Sequence, residues 1–280
     1  MSTKRLLGVF AHPDDESLIS GALLHYSSLG VETGLVYATR GEVGDIADPA
    51  LATPENLGQV REQEVRTAAK ALHVHNLWFL DYRDSGMAGT PENQNLHAFI
   101  RAPLAEAVGK IVAIIRQFRP HVIVTFDEPG AYRHPDDVAI YQYTTSAFHA
   151  AADDVLYPEL GPAHATSKLY YTAFPQSAID TMSEWLETQE DYESVFKNLD
   201  PDTLGLSDEQ IVVRLNVEKW HEAKAHSWAM HRTQVNPNTL MARLPEELQY
   251  RWRSLECYQL ATSRVGPDVI GENNLFARVE

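Results

Sequence analysis

The tetrapeptide His-Pro-Asp-Asp occurs twice in this chain, at residues 12–15 and at residues 134–137. His12 and Asp15 are three residues apart, close enough to bind one ion together. Imidazole and carboxylate are common ligands of Zn²⁺, whose catalytic sites take three protein groups and keep one position for water. Asp14 then remains as a general base for that water. The two copies therefore predict a metal-dependent hydrolytic site.

The fold must bring these two copies together. The first 175 residues alternate short apolar runs with amphipathic segments, which predicts a parallel α/β sheet with right-handed crossovers. The predicted strands are residues 5–11, 31–39, 76–82, 121–127 and 167–174, and the predicted helices are residues 16–30, 54–74, 104–120 and 137–152. Ligands of such sheets bind at the carboxyl ends of the strands, where the strand order reverses. One copy alone is typical of a turn that leads into a helix, but two copies that follow strands favour one shared site.

The pattern changes after residue 175. Residues 176–219 are acidic and are predicted to be mostly helical or irregular, with a strand-like alternation at residues 211–217. Helices are predicted at residues 218–234 and near residues 245–257. We interpret residues 1–175 as a Rossmann-like core and residues 176–280 as a mainly helical C-terminal cap that contributes to the substrate cleft.

Composition excludes several classes of function. The chain of 280 residues has 23 basic and 39 acidic residues and a net charge of −16, which argues against nucleic acid as a partner. A single cysteine, Cys257, excludes an intramolecular disulfide and a thiolate-rich metal site. No apolar stretch has the length of a signal-peptide core or a membrane span, so we expect no membrane partner and a cytoplasmic protein. The oligomeric state, including a homo-oligomer, is left open.

Several motifs resemble those of one family, and they occur in its order. They are AHPDDESL (11–18), TRGEVGD (39–45), REQEVRTAAKALHV (61–74), LDYRDSGM (80–87) and YRHPDD (132–137). Over about the first 150 of its 280 residues, the chain resembles the LmbE-like, or PIG-L, metal-dependent N-deacetylases. The YRDSGM stretch is most similar to the mycothiol branch, which includes a GlcNAc-inositol deacetylase and a conjugate amidase. The resemblance implies a zinc-dependent hydrolase that removes an acetyl or similar acyl group from a small GlcNAc-type sugar amide.

The resemblance also implies a ligand set. His12 and Asp15 would bind one zinc ion per chain, with Asp14 as the general base. The family usually has a second histidine at the position of Asp137, so Asp137 becomes the expected third ligand. An additional carboxylate makes the metal a weaker Lewis acid and moves the preference toward harder ions such as Mn²⁺, Mg²⁺ or Ca²⁺. Another divalent ion therefore stays an alternative to zinc.

By the same resemblance, His134 stabilises the oxyanion and Tyr132 polarises the substrate carbonyl. The competing arrangement has His134 as the third metal ligand and Asp137 as a helix cap.

Substrate contacts are also expected from the resemblance. Arg61 and Asp84 would hydrogen-bond sugar hydroxyls, since a guanidinium donates and a carboxylate accepts. Ser17 and Glu42 are expected at the rim of the site. His231 lies in "HRTQ", which resembles a family motif, and either contacts substrate or packs within the cap.

Two alternatives to the deacetylase remain open. One is an amidase that acts on a larger thiol-sugar conjugate. The other is a catalytically inactive metal-binding or sugar-binding protein, in which Asp137 marks lost chemistry. The sequence does not reveal the physiological substrate, the pathway or the metal.

Overall fold

Short apolar runs form the central sheet, as the sequence predicts. The computed structural model describes residues 3–189, 204–238, 240–266 and 270–280. The strands are β1 (Arg5–Phe10), β2 (Glu32–Tyr37), β3 (Asn76–Phe79), β4 (Val122–Thr125), β5 (Lys168–Ala173), β6 (Val213–Asn216) and β7 (Leu255–Ser263). All of β4 and nearly all of β1 and β2 is buried, because helices cover both faces of the sheet.

Helices connect the strands. They are α1 (Ser20–Ser28), α2 (Leu57–Ala71), α3 (Leu104–Phe118), α4 (Pro135–Ala150), α5 (Gln176–Leu186), α6 (His221–Trp228), α7 (Leu240–Arg243) and α8 (Glu246–Ser254). Among the described residues, none of the helices combines the length and the apolar character that crossing a bilayer requires.

The strand order is β3-β2-β1-β4-β5-β7-β6. Strands β1 to β5 pair in parallel, and β7 is antiparallel to both β5 and β6. The order therefore reverses between β1 and β4, which are neighbours through pairs such as Leu6 with Val122 and Gly8 with Val124. The predicted α/β fold with a mostly parallel sheet is confirmed, and the reversal point lies where both HPDD copies follow their strands.

Two predicted helices of the C-terminal segment are longer than the observed ones. The helix expected at residues 218–234 ends at Trp228. It does not extend to Thr233, because the backbone N–H of Thr233 donates to Glu64 and its carbonyl accepts from the N–H of Ala47. The helix expected up to residue 257 ends at Ser254, and the chain continues as β7.

The C-terminal segment thus adds β6 and β7 to the sheet, and the division at residue 175 remains a prediction. Part of the stretch 176–219, predicted as helical or irregular, lies outside the described residues.

A buried carboxylate of β7 caps α1. The two oxygens of Glu256 accept from the backbone N–H groups of Gly21 (2.7 Å) and Ala22 (2.8 Å) in the first turn of that helix. Lys224 of α6 forms a buried ion pair with the same carboxylate. This contact ties the helix that follows the first HPDD copy to the C-terminal segment.

We expect Glu256→Ala to lower the free energy of unfolding by about 3–5 kcal/mol, because Lys224 would stay buried without its partner. Urea denaturation measures this change. Glu222, exposed on the same helix as Lys224, offers a control, and Glu222→Ala should leave the stability unchanged. Equal stability of the two variants would contradict the structural role of the pair.

Candidate active site

The first HPDD copy forms a tight turn at the end of β1. Proline suits the first position of a helix, but the helical turn after Pro13 begins only at Asp15, as a short 3₁₀ helix at Asp15–Ile19. Asp14 adopts a φ of 108°, and Oδ2 of Asp15 accepts from the backbone N–H groups of Ala11 (3.1 Å) and His12 (2.7 Å). The Asp15 carboxylate thus folds back onto the strand end.

The second copy begins α4 as predicted, with Pro135 as the first helical residue and His134 as the N-cap. The His134 Nδ1 accepts from the backbone N–H of Asp136 at 3.2 Å. Gly130, with a φ of +66°, lets the preceding loop pack closely on the helix start, since a Cβ there would lie 2.7 Å from the backbone nitrogen of Val138. The loop therefore fixes the position of His134.

His12 stands between the two copies. Its Nδ1 lies 3.3 Å from Oδ1 of Asp137 and 3.7 Å from Oδ2 of Asp15, while its Nε2 lies 3.3 Å from Oδ2 of Asp136. Within the part of the chain that the structure describes, two overlapping sets of donor atoms could hold a metal ion, and in each set all atoms lie within 4.8 Å of one another. The sets are His12 with Asp15 and Asp137, and His12 with Asp84 and His134.

The first set fits a divalent cation better. Asp137 has no solvent exposure, and apart from the 3.3 Å approach of His12 Nδ1 neither of its carboxylate oxygens has a polar partner among the described residues. A buried carboxylate with so few partners is costly, and a bound cation would remove that cost. We therefore infer that His12, Asp15 and Asp137 form the metal site.

Hydrogen bonding argues against His134 as a ligand. Because its Nδ1 accepts the N–H of Asp136, a neutral His134 carries its proton on Nε2 and presents a donor there. Burial and the neighbouring His12 both lower the pKa of His134, which favours the neutral ring. A neutral donor of this kind suits an oxyanion.

Asp136 is a candidate functional residue that the sequence reasoning missed. It is fully buried, and its Oδ2 lies 3.3 Å from His12 Nε2 and accepts from the backbone N–H of Ser85 at 2.9 Å. A carboxylate on the second nitrogen of a metal-binding histidine fixes its tautomer and orientation. The only sequence signal was its place as the third letter of the second HPDD.

Asp14 lies beside the proposed metal site. Burial raises the pKa of its carboxyl group to about 6. Within the described part of the chain, no hydrogen bond reaches this carboxylate, so both oxygens are available to a water molecule.

Three residues expected to contact a sugar form hydrogen bonds with, or within, the loop at residues 41–45. The Arg61 guanidinium donates to the carbonyls of Gly41 and Asp45, both at 2.9 Å. Glu42 accepts from the backbone N–H of Asp84 at 3.0 Å, and Asp84 lies 3.8 Å from Nε2 of His12. These contacts hold the loop against the site, and the sugar-binding roles of Arg61, Asp84 and Glu42 stay predictions.

The remaining predicted residues differ in exposure. Tyr132 is 45% exposed, with its ring 6.1 Å from that of His134. His231 is buried and contacts Glu16. Ser17 lines a cavity of about 570 Å³ whose walls are mainly apolar and include Trp228. The structure thus brings the proposed metal and catalytic residues together and leaves Tyr132 at the mouth of the site.

Comparison with known proteins identifies the family. Residues 7–148 match the PIG-L family, described as GlcNAc-PI de-N-acetylase. The chain is 35% identical over 288 residues to the 1D-myo-inositol 2-acetamido-2-deoxy-alpha-D-glucopyranoside deacetylase of Geodermatophilus obscurus, and the match covers 98% of each chain. The chain belongs to the PIG-L family. The resemblance seen in the motifs is therefore confirmed, and it extends beyond the core into the C-terminal segment.

Solved structures share the PIG-L fold of this chain at low identity. The N,N'-diacetylchitobiose deacetylase of Pyrococcus horikoshii is 17% identical with a TM-score of 0.62, covering 92% of this chain and 84% of that one. The 4-carboxy-2-hydroxymuconate hydratase of Pseudomonas putida is 15% identical with a TM-score of 0.59, covering 95% of this chain and all of that one. Because a hydratase shares the fold, the fold alone does not decide the chemistry.

Two variants decide between the ligand sets. We expect Asp137→Ala to lose tight binding of divalent metal and His134→Ala to retain it, because only the Asp137 carboxylate belongs to the proposed set. Metal content after dialysis, measured by elemental analysis alongside circular dichroism, tests this. Loss of metal in His134→Ala with retention in Asp137→Ala would favour the competing set.

Proposed function

We propose that this protein hydrolyses the N-acetyl group of an N-acetylglucosaminyl inositol, releasing acetate and a primary amine. The observation that carries the proposal is the set of His12, Asp15 and Asp137, of which His12 and Asp137 are buried, with the carboxylate of Asp14 beside it and free of hydrogen bonds from the described residues. The identity to deacetylases named for that substrate, over nearly the whole chain, supports the choice of sugar.

The cation that we propose for this site is zinc, one ion per chain. A cation held there would act as a Lewis acid on the amide carbonyl and on the attacking water. Two carboxylates and one imidazole also accept harder ions such as Mn²⁺, so the metal is best assigned by comparing several ions on the purified protein.

Asp14 then acts twice. It takes a proton from water as the water oxygen attacks the amide carbon, which gives a tetrahedral oxyanion. In this mechanism His134, through its Nε2–H, and Tyr132, through its hydroxyl, donate to that oxyanion. Asp14 returns the proton to the amide nitrogen, the carbon–nitrogen bond breaks, and the amine leaves.

The variant Asp14→Asn tests the proposed reaction. We expect it to bind metal as the parent does, since Asp14 is outside the proposed ligand set, and to lose about 10²–10⁴-fold in turnover because an amide cannot accept the proton. Acetate release from N-acetylglucosaminyl inositol is the assay, with metal content as the control. Near-parental turnover of Asp14→Asn would contradict the role of Asp14. If the parent protein itself binds metal but hydrolyses no amide, the result would favour the inactive binder.

A second candidate is an amidase that releases a larger acyl group, and the apolar cavity favours it. At about 570 Å³ the cavity far exceeds the needs of an acetyl group, and it reaches Ser17, in the 3₁₀ helix that follows Asp14. Phe174, Trp228 and Trp252 contribute aromatic surface to its wall. A bulky apolar acyl group would gain free energy by burial there.

A series of N-acyl glucosamines of increasing chain length distinguishes the two candidates. If the cavity takes the acyl group, kcat/KM should rise about fourfold per buried methylene, the equivalent of about 0.8 kcal/mol. Ala178→Phe, which narrows the cavity, should then slow the long substrates and spare the acetyl substrate. If the parent and Ala178→Phe both prefer the N-acetyl substrate, the result would support the deacetylase.

A further inference from the structure

The backbone of Asp14 is strained. Its φ of 108° lies in a region that residues other than glycine rarely adopt. Such a conformation costs about 1–3 kcal/mol and persists only where neighbouring contacts enforce it. Because the Asp14 carboxylate accepts no hydrogen bond from the described residues, its direction depends on whatever holds the backbone.

Glu16 provides the contact that holds this backbone. Its Oε2 accepts from the N–H of Asp14 at 3.0 Å and from the hydroxyl of Tyr37 at 2.7 Å. Its Oε1 lies 2.6 Å from Nε2 of His231. Glu16 is 2% exposed, and its bonds with Tyr37 and His231 are buried, while the bond from the Asp14 N–H is partly buried. A buried carboxylate with three partners is a rigid support, and its hold on Asp14 depends on all of them.

His231 reaches Glu16 from the turn after α6, and that turn is itself fixed. The Thr233 N–H and hydroxyl both donate to the carboxylate of Glu64, at 2.8 and 2.6 Å. Gln234 donates to the carbonyl of Pro13 at 2.9 Å. His231 is 1% exposed, and its position is set by these contacts without any substrate.

We propose that His231 and Glu16 are a positioning pair that sets the Asp14 carboxylate for proton transfer. His231 donates to Glu16, Glu16 holds the Asp14 backbone, and the C-terminal segment thereby controls the base without touching substrate. This assigns His231 a role other than the sugar contact expected from the sequence. The inference rests on the proposed role of Asp14.

The primary test is His231→Leu, which removes the donor to Glu16. We expect kcat to fall about 10–100-fold, as for other residues that orient a functional group. KM and metal content should stay at the parental values, because neither the substrate contacts nor the ligands change. His231→Gln should restore most of the rate, since its side-chain amide presents an N–H to the same oxygen.

A destabilising control outside this set of contacts separates positioning from general stability. Tyr26→Phe removes the hydroxyl that accepts from the backbone N–H of Leu275 at 2.7 Å, and it should lower the melting temperature while kcat is preserved. Equal losses of kcat in Tyr26→Phe and His231→Leu would overturn the proposal, as would a His231→Leu protein with parental kcat or with a metal loss that accounts for the lower rate.

If His231→Leu does not fold, the pair His231→Gln and His231→Asn replaces it. The shorter amide cannot reach Glu16, so Asn should be slow and Gln fast, and equal rates would overturn the proposal. Asp14→Asn keeps the two hypotheses apart. If the parent protein releases no acetate, the proposed function fails. If the parent is active and Asp14→Asn remains active, the proposed role of Asp14 fails, and the positioning role fails with it. If Asp14→Asn is inactive while His231→Leu keeps its kcat, only the positioning role fails.

Discussion

Carboxylates crowd around one imidazole at the end of β1, and few positive charges balance them. Asp15 and Asp137 approach one nitrogen of His12, and Asp136 and Asp84 approach the other. Burial and the neighbouring Asp137 raise the pKa of Asp15, and burial raises that of Asp137. Without a cation these acids tend to hold protons, and with one they release them. On the proposed assignment, a divalent cation at the centre of the site would balance these acids.

Adjacent acids have different tasks because helix geometry separates them. Asp136 and Asp137 are consecutive on α4, so their side chains point about 100° apart. The first turns to His12 Nε2 and the N–H of Ser85, and the second turns to His12 Nδ1 with both oxygens otherwise unbonded. In the first copy, the strained backbone of Asp14 separates its carboxylate from that of Asp15 in the same way. One repeated tetrapeptide thus supplies different groups to a single site.

Local pattern predicted the core well because its elements follow from local rules. The apolar runs of β1 to β5 and the periodicity of α1 to α4 were visible in the sequence. Because parallel strands end at one edge of a sheet, the sequence also predicted that His12 and Asp137 lie close together.

Non-local contacts were not predictable in this way. The strand β7 at Leu255–Ser263 depends on pairing with β5, more than eighty residues earlier. The φ of Asp14 depends on Glu16, which in turn depends on His231, 215 residues away in sequence. The sequence of the first HPDD copy predicts neither of these contacts.

The aspartate at position 137 links the proposed metal site to the positioning of the base. On the proposed assignment, a second carboxylate ligand in place of histidine weakens the Lewis acidity of a bound cation and leaves the attacking water less acidic. More of the activation of water then falls to the base, so the rate becomes more sensitive to where the Asp14 carboxylate lies. A base on a strained turn meets that demand only if the turn is held rigidly. On the proposed assignment, the hydrogen bonds that join Asp14, Glu16 and His231 hold it, which gives the C-terminal segment a role in the chemistry.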